Sequence, residues 1–324
     1  MTGGFPAEYG NRMSGVFNIK STTPQKRRTS VGVSLMNTRF MSEGSFARGN
    51  WLVSARRGYL DLVLQLMGEE ESFSPTYYDV LGKVEYQLDD KHRLAFNVLQ
   101  AHDNLEFIED DEDESTTKYG NAYGWLSLQS TFSSALLAQT LLAAGHITHQ
   151  RNGLAFTGDT RESLLDFTVD DRRAFDFFEL KQDWNWEVSQ RHFLKAGADV
   201  KRLAADYEYL SVQNRFERVS QDSFRVNVDS TQVERNPSGF EFDAYVADRF
   251  RLLSPLIVEL GMRYDHTSHA ADHLLSPRFN LVYTLGKRTV LRGGWGHFYQ
   301  SEGIHEISVG DGEEIFFPAQ RAQH

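Results

Sequence analysis

From Arg27 onward the chain repeats one unit: a run of ten or more residues with every second position oily, a short polar turn, then another such run. In the clearest case Leu256, Val258, Leu260, Met262 and Tyr264 fall on one side, with Ile257, Glu259, Gly261, Arg263 and Asp265 on the other. Tyr78, Val80, Gly82, Val84, Tyr86 and Leu88 alternate in the same way with Asp79, Lys83, Glu85 and Gln87. So do Phe279, Leu281, Tyr283 and Leu285 with Arg278, Asn280 and Thr284. A helix, at about 3.6 residues per turn, would mix these two sets within two turns, so the pattern predicts antiparallel strands with one face for lipid and one for water.

The turns are of two kinds. Tight ones fall at Asp89–His92, Ser133–Ala135, Ser189–His192, Leu253–Pro255 and Gly286–Arg288. Longer polar connections lie near 107–118, 152–172, 211–238 and 267–275, and this alternation is the asymmetry of a membrane barrel with short periplasmic turns and long extracellular loops. Hairpin signals give roughly 13 strands, the first hairpin near 28–46 and another strand over 50–57. Residues 59–67 are expected to form a short helix, and the tail after Gln300 opens another exterior loop.

Composition adds constraints. Aromatic residues make up 13% of the 324, which suits β structure and aromatic girdles. A mean hydropathy of −0.47 is compatible with a membrane barrel, whose strands hide their polar half in the lumen. The most apolar run, Leu60 to Met67, contains Asp61 and Gln65 and is far too short for a helical span. With 45 acidic against 34 basic residues and a net charge of −11, the chain repels phosphate backbones, which argues against nucleic acid as a partner. Absence of cysteine removes disulfides, thiolate metal sites and cysteine nucleophiles together. The start, MTGGFPAEY, has no basic segment followed by an apolar core, so an exported protein is expected to begin upstream of Met1.

The stretch Gly3 to Lys20, GGFPAEYGNRMSGVFNIK, resembles the end of the plug domain of TonB-dependent outer-membrane receptors, through Tyr9, Gly10, Arg12, Ser14, Gly15, Val16, Asn18 and Lys20. Ser276 to Gln300 resembles a barrel hairpin of the same family, Glu259 to His266 its "GLRYD" strand, and Trp51 to Asp61 an early-barrel segment. The nearest subgroup is the one with a carboxypeptidase-regulatory-like N-terminal domain. The resemblance implies an all-β fold, an antiparallel transmembrane β-barrel that is here incomplete and open, of about 12 to 13 strands against about 22 in such receptors. Residues 1–24 would be the C-terminal remnant of the plug and 25–324 the N-terminal part of the barrel. A half-barrel leaves unpaired edges that are costly in hydrocarbon, so the chain is expected to be a fragment.

By the same resemblance the parent is an outer-membrane transporter for a large scarce nutrient such as a ferric siderophore, cobalamin or an oligosaccharide. Its partners would be outer-membrane lipid, an extracellular small-molecule or glycan ligand, and the TonB complex, reached through a missing N-terminal segment. No cofactor and no covalent chemistry are implied. Arg12 is expected at the plug-barrel contact, held by lumen-facing Glu85, Glu179 or Glu259, because a buried guanidinium needs carboxylate partners; an arginine exposed in a turn is the competing expectation. Tyr9, Gly10, Gly15 and Asn18 complete the plug signature.

Other clusters read as solvated surface. His266, His269 and His273 have metal-like spacing, yet no carboxylate or thiolate pattern completes a first shell. His146 and His149 should point to opposite faces of a strand. The acidic run from Glu106 through Asp110 to Glu114 lacks the alternation and central glycine of a calcium loop and reads as a solvated loop. Neither GxSxG nor HExxH occurs, so no catalytic residue is assigned. Trp184, Trp186, Trp295 and Tyr299 read as interface anchors. A passive porin or structural barrel is the alternative; it would pair residues 3–20 as an ordinary strand instead of holding them inside the sheet.

Overall fold

A computed structural model describes residues 4–13, 15, 16, 18, 20, 21, 23, 24, 26–68, 73–109, 113–160, 163–220, 223–305 and 320–323. Its strands are β1 (Arg28–Val33), β2 (Asn37–Phe46), β3 (Gly49–Gly58), β4 (Phe73–Gln87), β5 (His92–Glu109), β6 (Asp113–Thr131), β7 (Leu136–Thr160) and β8 (Ser163–Glu187). There follow β9 (His192–Ser220), β10 (Ser223–Arg235), β11 (Ser238–Leu253), β12 (Leu256–Thr267), β13 (Asp272–Leu285), β14 (Thr289–Gln300) and β15 (Gln320–Gln323). One helix, α1 (Leu60–Met67), joins β3 to β4. All strands form one antiparallel sheet in chain order, open between β1 and β15 among the described residues.

The strands β10 and β11 are two parts of one line. Both pair with β9, Arg235 opposite Tyr207 and Ser238 opposite Ala204. Pro237 breaks the ladder because it lacks an N–H, but its carbonyl still accepts from the Ala205 N–H at 2.9 Å. Fifteen stretches therefore occupy fourteen positions.

The sheet is inside out relative to a soluble protein. On β4 the oily residues are the exposed ones, Val80 at 41% and Val84 at 46%, while Lys83 and Glu85 on either side of Val84 are 7% and 8% exposed. The same inversion holds on β8, with Phe178 and Leu180 exposed, and on β12, with Leu260 and Met262 exposed and Arg263 buried. Aromatic rings flank this band at both levels. At the tight-turn end Phe46 stacks on Tyr86 and Phe132 on Trp184; at the other end Tyr78 stacks on His102, and Phe242 and His273 lie beside Tyr264. Tyr78 and Tyr86 are eight residues apart, about 27 Å along a strand, and the usual tilt brings this near the apolar height of an outer-membrane barrel. Polar groups on the outward face of the band satisfy one another: Thr140 donates to Gln182 at 2.6 Å, and the hydroxyls of Thr29 and Ser42 share a bond at 2.8 Å, so none of these meets hydrocarbon unsatisfied.

Three tight turns use one device. Asp89 accepts the N–H groups of Lys91 and His92 at 2.8 and 2.9 Å, Ser133 those of Ala135 and Leu136, and Ser189 those of Arg191 and His192. The exterior connections differ from expectation. Residues read as long loops at 107–118, 152–172 and 211–238 are mostly strand, with β5, β7 and β9 running to Glu109, Thr160 and Ser220. Beyond the membrane both faces of a hairpin meet water, so alternation vanishes while the backbone ladder persists. Among the described residues of the four long connections, Asn236 and Pro237 and the β12–β13 connection, Ser268 to Ala271, lie outside the strands, with Ala271 at a φ of 54°.

Candidate functional site on the inner face

The inward residues form a charged lining whose order follows from register. On adjacent strands Lys181, Asp199, Asp243 and Asp265 stand directly opposite one another, placing three carboxylates in a row across β9, β11 and β12. Like charges so placed repel, and cations one pleat away offset them. From one side Lys201 reaches Asp199 at 3.3 Å and Glu179 at 3.8 Å. From the other Arg263 holds Asp243 and Asp265, both at 2.7 Å, with its own side chain only 6% exposed. Nearby, Tyr245 donates to Asp183 at 2.8 Å, and on β4 Lys83 pairs with Glu85 at 2.6 Å.

The N-terminal segment lies on this lining. Phe5 and Ala7 are 1% and 0% exposed. Phe5 meets Phe298 edge-on at 4.6 Å, and the Arg278 guanidinium lies 3.6 Å from the Phe298 ring centre. Ala7 packs with Tyr245 and Ala247 and against Gly261, where an added Cβ would stand 2.8 Å from the Ala7 Cβ; that missing side chain is what lets the backbone approach. Lys195 bonds Glu8 at 2.7 Å, Lys83 donates to Ser21 at 3.0 Å, and the Ser301 N–H donates to Asn11 at 2.7 Å. Apart from a single bridge at Gly15, described residues 4–24 join no strand.

Between segment and wall lies a cavity of about 850 Å³, lined by residues 8–12 together with Glu179, Lys201, Asp243 and Arg263. Its far side is closed by the tail after β14, which turns inward: Ile304 is 1% exposed against Leu203 and Ala205, and its carbonyl accepts from Tyr207 at 2.7 Å. The tail read as opening another exterior loop does leave β14 at the end opposite the tight turn, and its described start folds over the inner face.

Of the predicted residues, Gly10 sits against the Arg263 guanidinium, where a side chain would overlap it, and Gly15 lines the cavity. Asn18 donates to the Tyr9 hydroxyl at 3.4 Å. Arg12 lines the cavity but is exposed and donates to the carbonyl of Asn11; Glu85 and Glu179 bond Lys83 and Lys201 instead. Cations of the contact are on the wall, as Lys83, Lys195 and Arg263. Sequence reasoning missed these three; inward register beside carboxylates two positions away was the available signal for Lys83 and Arg263. Ser14 and Asp110 to Glu112 lie outside the described residues.

The histidine groups separate. His266 stacks on His273 at 4.3 Å, whereas His269 turns to the carbonyl of Glu302 at 3.0 Å. His146 pairs with Asp176 at 2.7 Å and His149 stacks on Tyr119 at 4.5 Å, on opposite faces as their odd separation requires. Among the described residues no three His, Asp or Glu side chains are grouped to hold a metal. Trp184 and Trp186 sit at the tight-turn girdle, while Trp295 is mid-strand and shares its face with His297 and Tyr299.

An oily outer belt between two aromatic girdles and a charged inner face define the wall of an outer-membrane β-barrel. The sequence matches the family described as TonB dependent receptor-like, beta-barrel, over residues 32–317, and the chain belongs to it. It is similar in fold to the Escherichia coli outer-membrane transporter YddB, with a TM-score of 0.66 and 12% identity over 92% of this chain and 47% of that one. It is also similar to a variant of the ferric enterobactin receptor PfeA from Pseudomonas aeruginosa, with a TM-score of 0.62 and 13% identity over 95% and 49%. A third likeness is to the RagAB peptide transporter, with a TM-score of 0.55 and 8% identity over 89% and 40%. The chain thus spans about half or less of the length of these relatives. No curated protein matches it.

Proposed function

We propose that residues 1–24 are the end of a plug and 25–324 part of the barrel of an active transporter, which takes up a large scarce nutrient across the outer membrane with energy from the TonB complex. The observation that carries this reading is the burial of Phe5 and Ala7 on the inner face, with Glu8 on Lys195. A passive porin would be expected to pair such a segment as an ordinary strand instead of holding it against the inner face. Names of similar structures, a ferric enterobactin receptor and a peptide transporter, support a ligand of that size without choosing one. Ferric siderophore, cobalamin and oligosaccharide therefore stand beside peptide as candidates, and an upstream carboxypeptidase-regulatory-like domain remains part of the proposal. Arg12 keeps a proposed role at the plug-barrel contact through its place on the cavity wall. Growth of a deletion strain on each nutrient class as sole source, with and without TonB, tests this. A growth defect on one class that TonB loss reproduces supports active uptake; uptake that continues without TonB overturns it in favour of the porin.

A further inference from the structure

We propose that α1 is an interfacial helix that beds its oily face in the outer leaflet of the membrane, extending the lipid-contacting surface of the first strands beyond the sheet. It has no buried residue, and it exposes Leu62 at 47%, Leu66 at 89% and Met67 at 70%. Leu62 and Leu66, four apart, share one side of the helix. Only Asp61 and Gln65 are polar among its eight residues. A helix left in water with this surface would be unstable at two turns in length, so its apolar side needs an occupant.

Position identifies the occupant. The strand β3 ends at Gly58, which pairs with Tyr77, next to Tyr78 of the exterior girdle, so α1 begins at the level where barrel aromatics meet lipid headgroups. Its start is fixed to the β1–β2 turn: the Tyr59 N–H donates to the Met36 carbonyl at 3.1 Å and the Tyr59 hydroxyl to the carbonyl of Ser34. That turn carries Leu35 at 75% and Met36 at 54% exposure, and below it Val31 and Val33 are exposed at 66% and 75% on the same outward face as Phe40. The oily surface is therefore continuous from the belt, through the turn, to the helix. A helix with a broad apolar face and a narrow polar strip at this depth has the geometry of a segment lying in the interface plane.

The absence of cysteine makes single-site labelling clean. The full-length protein in lipid vesicles would carry one nitroxide at Leu66→Cys or Met67→Cys, with Val84→Cys in the belt and Asp90→Cys in a tight turn as references. Collision with oxygen, which concentrates among acyl chains, is compared with collision with a water-soluble nickel chelate. An oxygen-to-nickel ratio at Leu66 and Met67 several-fold above that at Asp90, approaching Val84, supports the proposal. A ratio equal to that at Asp90 places the helix in water and overturns it. Protection from both relaxants places protein over the helix and overturns it equally, and the belt reference shows independently that the barrel is folded in lipid.

Discussion

Replacing Arg263 with leucine should be among the most damaging single changes to the inner face. Its guanidinium is the cation 2.7 Å from both Asp243 and Asp265, whose side chains are 15% and 13% exposed. Asp243 also faces Asp199 and Asp265 directly across the ladder, so the substitution leaves three carboxylates in a row with Lys201 and Lys181, both at the Asp199 end, as cations beside them. Breaking a buried pair by removing one partner costs about 3–5 kcal/mol, because the orphaned charge keeps its desolvation penalty. At 1.4 kcal/mol per tenfold, the ratio of folded to unfolded protein falls by roughly a hundredfold to a few thousandfold. Urea unfolding of the full-length protein in lipid vesicles, followed by tryptophan fluorescence, measures this. The decisive comparison is the triple variant Arg263→Leu, Asp243→Asn, Asp265→Asn, which removes the stranded charges and should recover most of the loss. A single variant within about 1 kcal/mol of the parent, or a triple variant no better than the single, would refute the argument that charge compensation across the ladder organises this wall.

Three further outcomes follow. Gly261→Val should push the Ala7 backbone off the wall, since even a Cβ stands 2.8 Å from that of Ala7; faster amide hydrogen exchange over residues 5–12 with the belt unchanged is the expected result. Val84→Arg, between the girdle positions Tyr78 and Tyr86, should cost up to about 2–4 kcal/mol, and Leu88→Arg beyond the girdle about 0–1, measured by unfolding in lipid vesicles. Backbone bonding from Lys91 and then the His92 side chain lower the Asp89 carboxyl below its ordinary 3.8, so its stabilisation is fully present above that value and fades as pH falls through the lowered native one; Asp89→Ala should flatten this acid-side loss in unfolding curves taken across pH.

The sequence showed which side of each strand met lipid because hydrocarbon imposes a strict rule on every second residue. Val80 and Val84 out, Lys83 and Glu85 in, could be read directly. Where water bathes both faces the rule lapses, and the outer parts of β7, β8 and β9 were read as loops although they remain paired. The strand line through β10 and β11 was hidden for a different reason, since Pro237 punctuates a ladder that its own carbonyl helps to carry across. Contact between segment and wall was partly legible: the GGFPAEYG stretch marked the segment, and Gly261 appeared on the wet side. That Gly261 admits Ala7, and that Lys195 meets Glu8 across 187 residues of sequence, depend on the closeness of remote segments, which periodicity does not encode.

The way the segment is held suggests how it can leave. Burial of Phe5 contributes about 1.5–3 kcal/mol. The charge-assisted bond of Lys195 to Glu8, with side chains 23% and 22% exposed, adds about 1.5–3, and the hydrogen bonds to Ser21 and Asn11 about 0.5–1.5 each, beside two long ones from Arg263 to the carbonyls of Ala7 and Glu8. These are small holdings for a segment on so charged a surface. The reason is that the wall satisfies itself: Lys83 keeps Glu85, and Arg263 keeps Asp243 and Asp265, whether or not residues 5–12 are present. Among the described residues Lys195 alone, of these three contacting cations, has its ion-pair partner on the segment. A lining that drew its neutrality from the segment would lock it in place, since each departing carboxylate would strand a buried cation. A lining neutralised mainly within itself lets the segment be displaced at the expense of one partly buried pair, the burial of Phe5 and a few hydrogen bonds, as the proposed plug role would require.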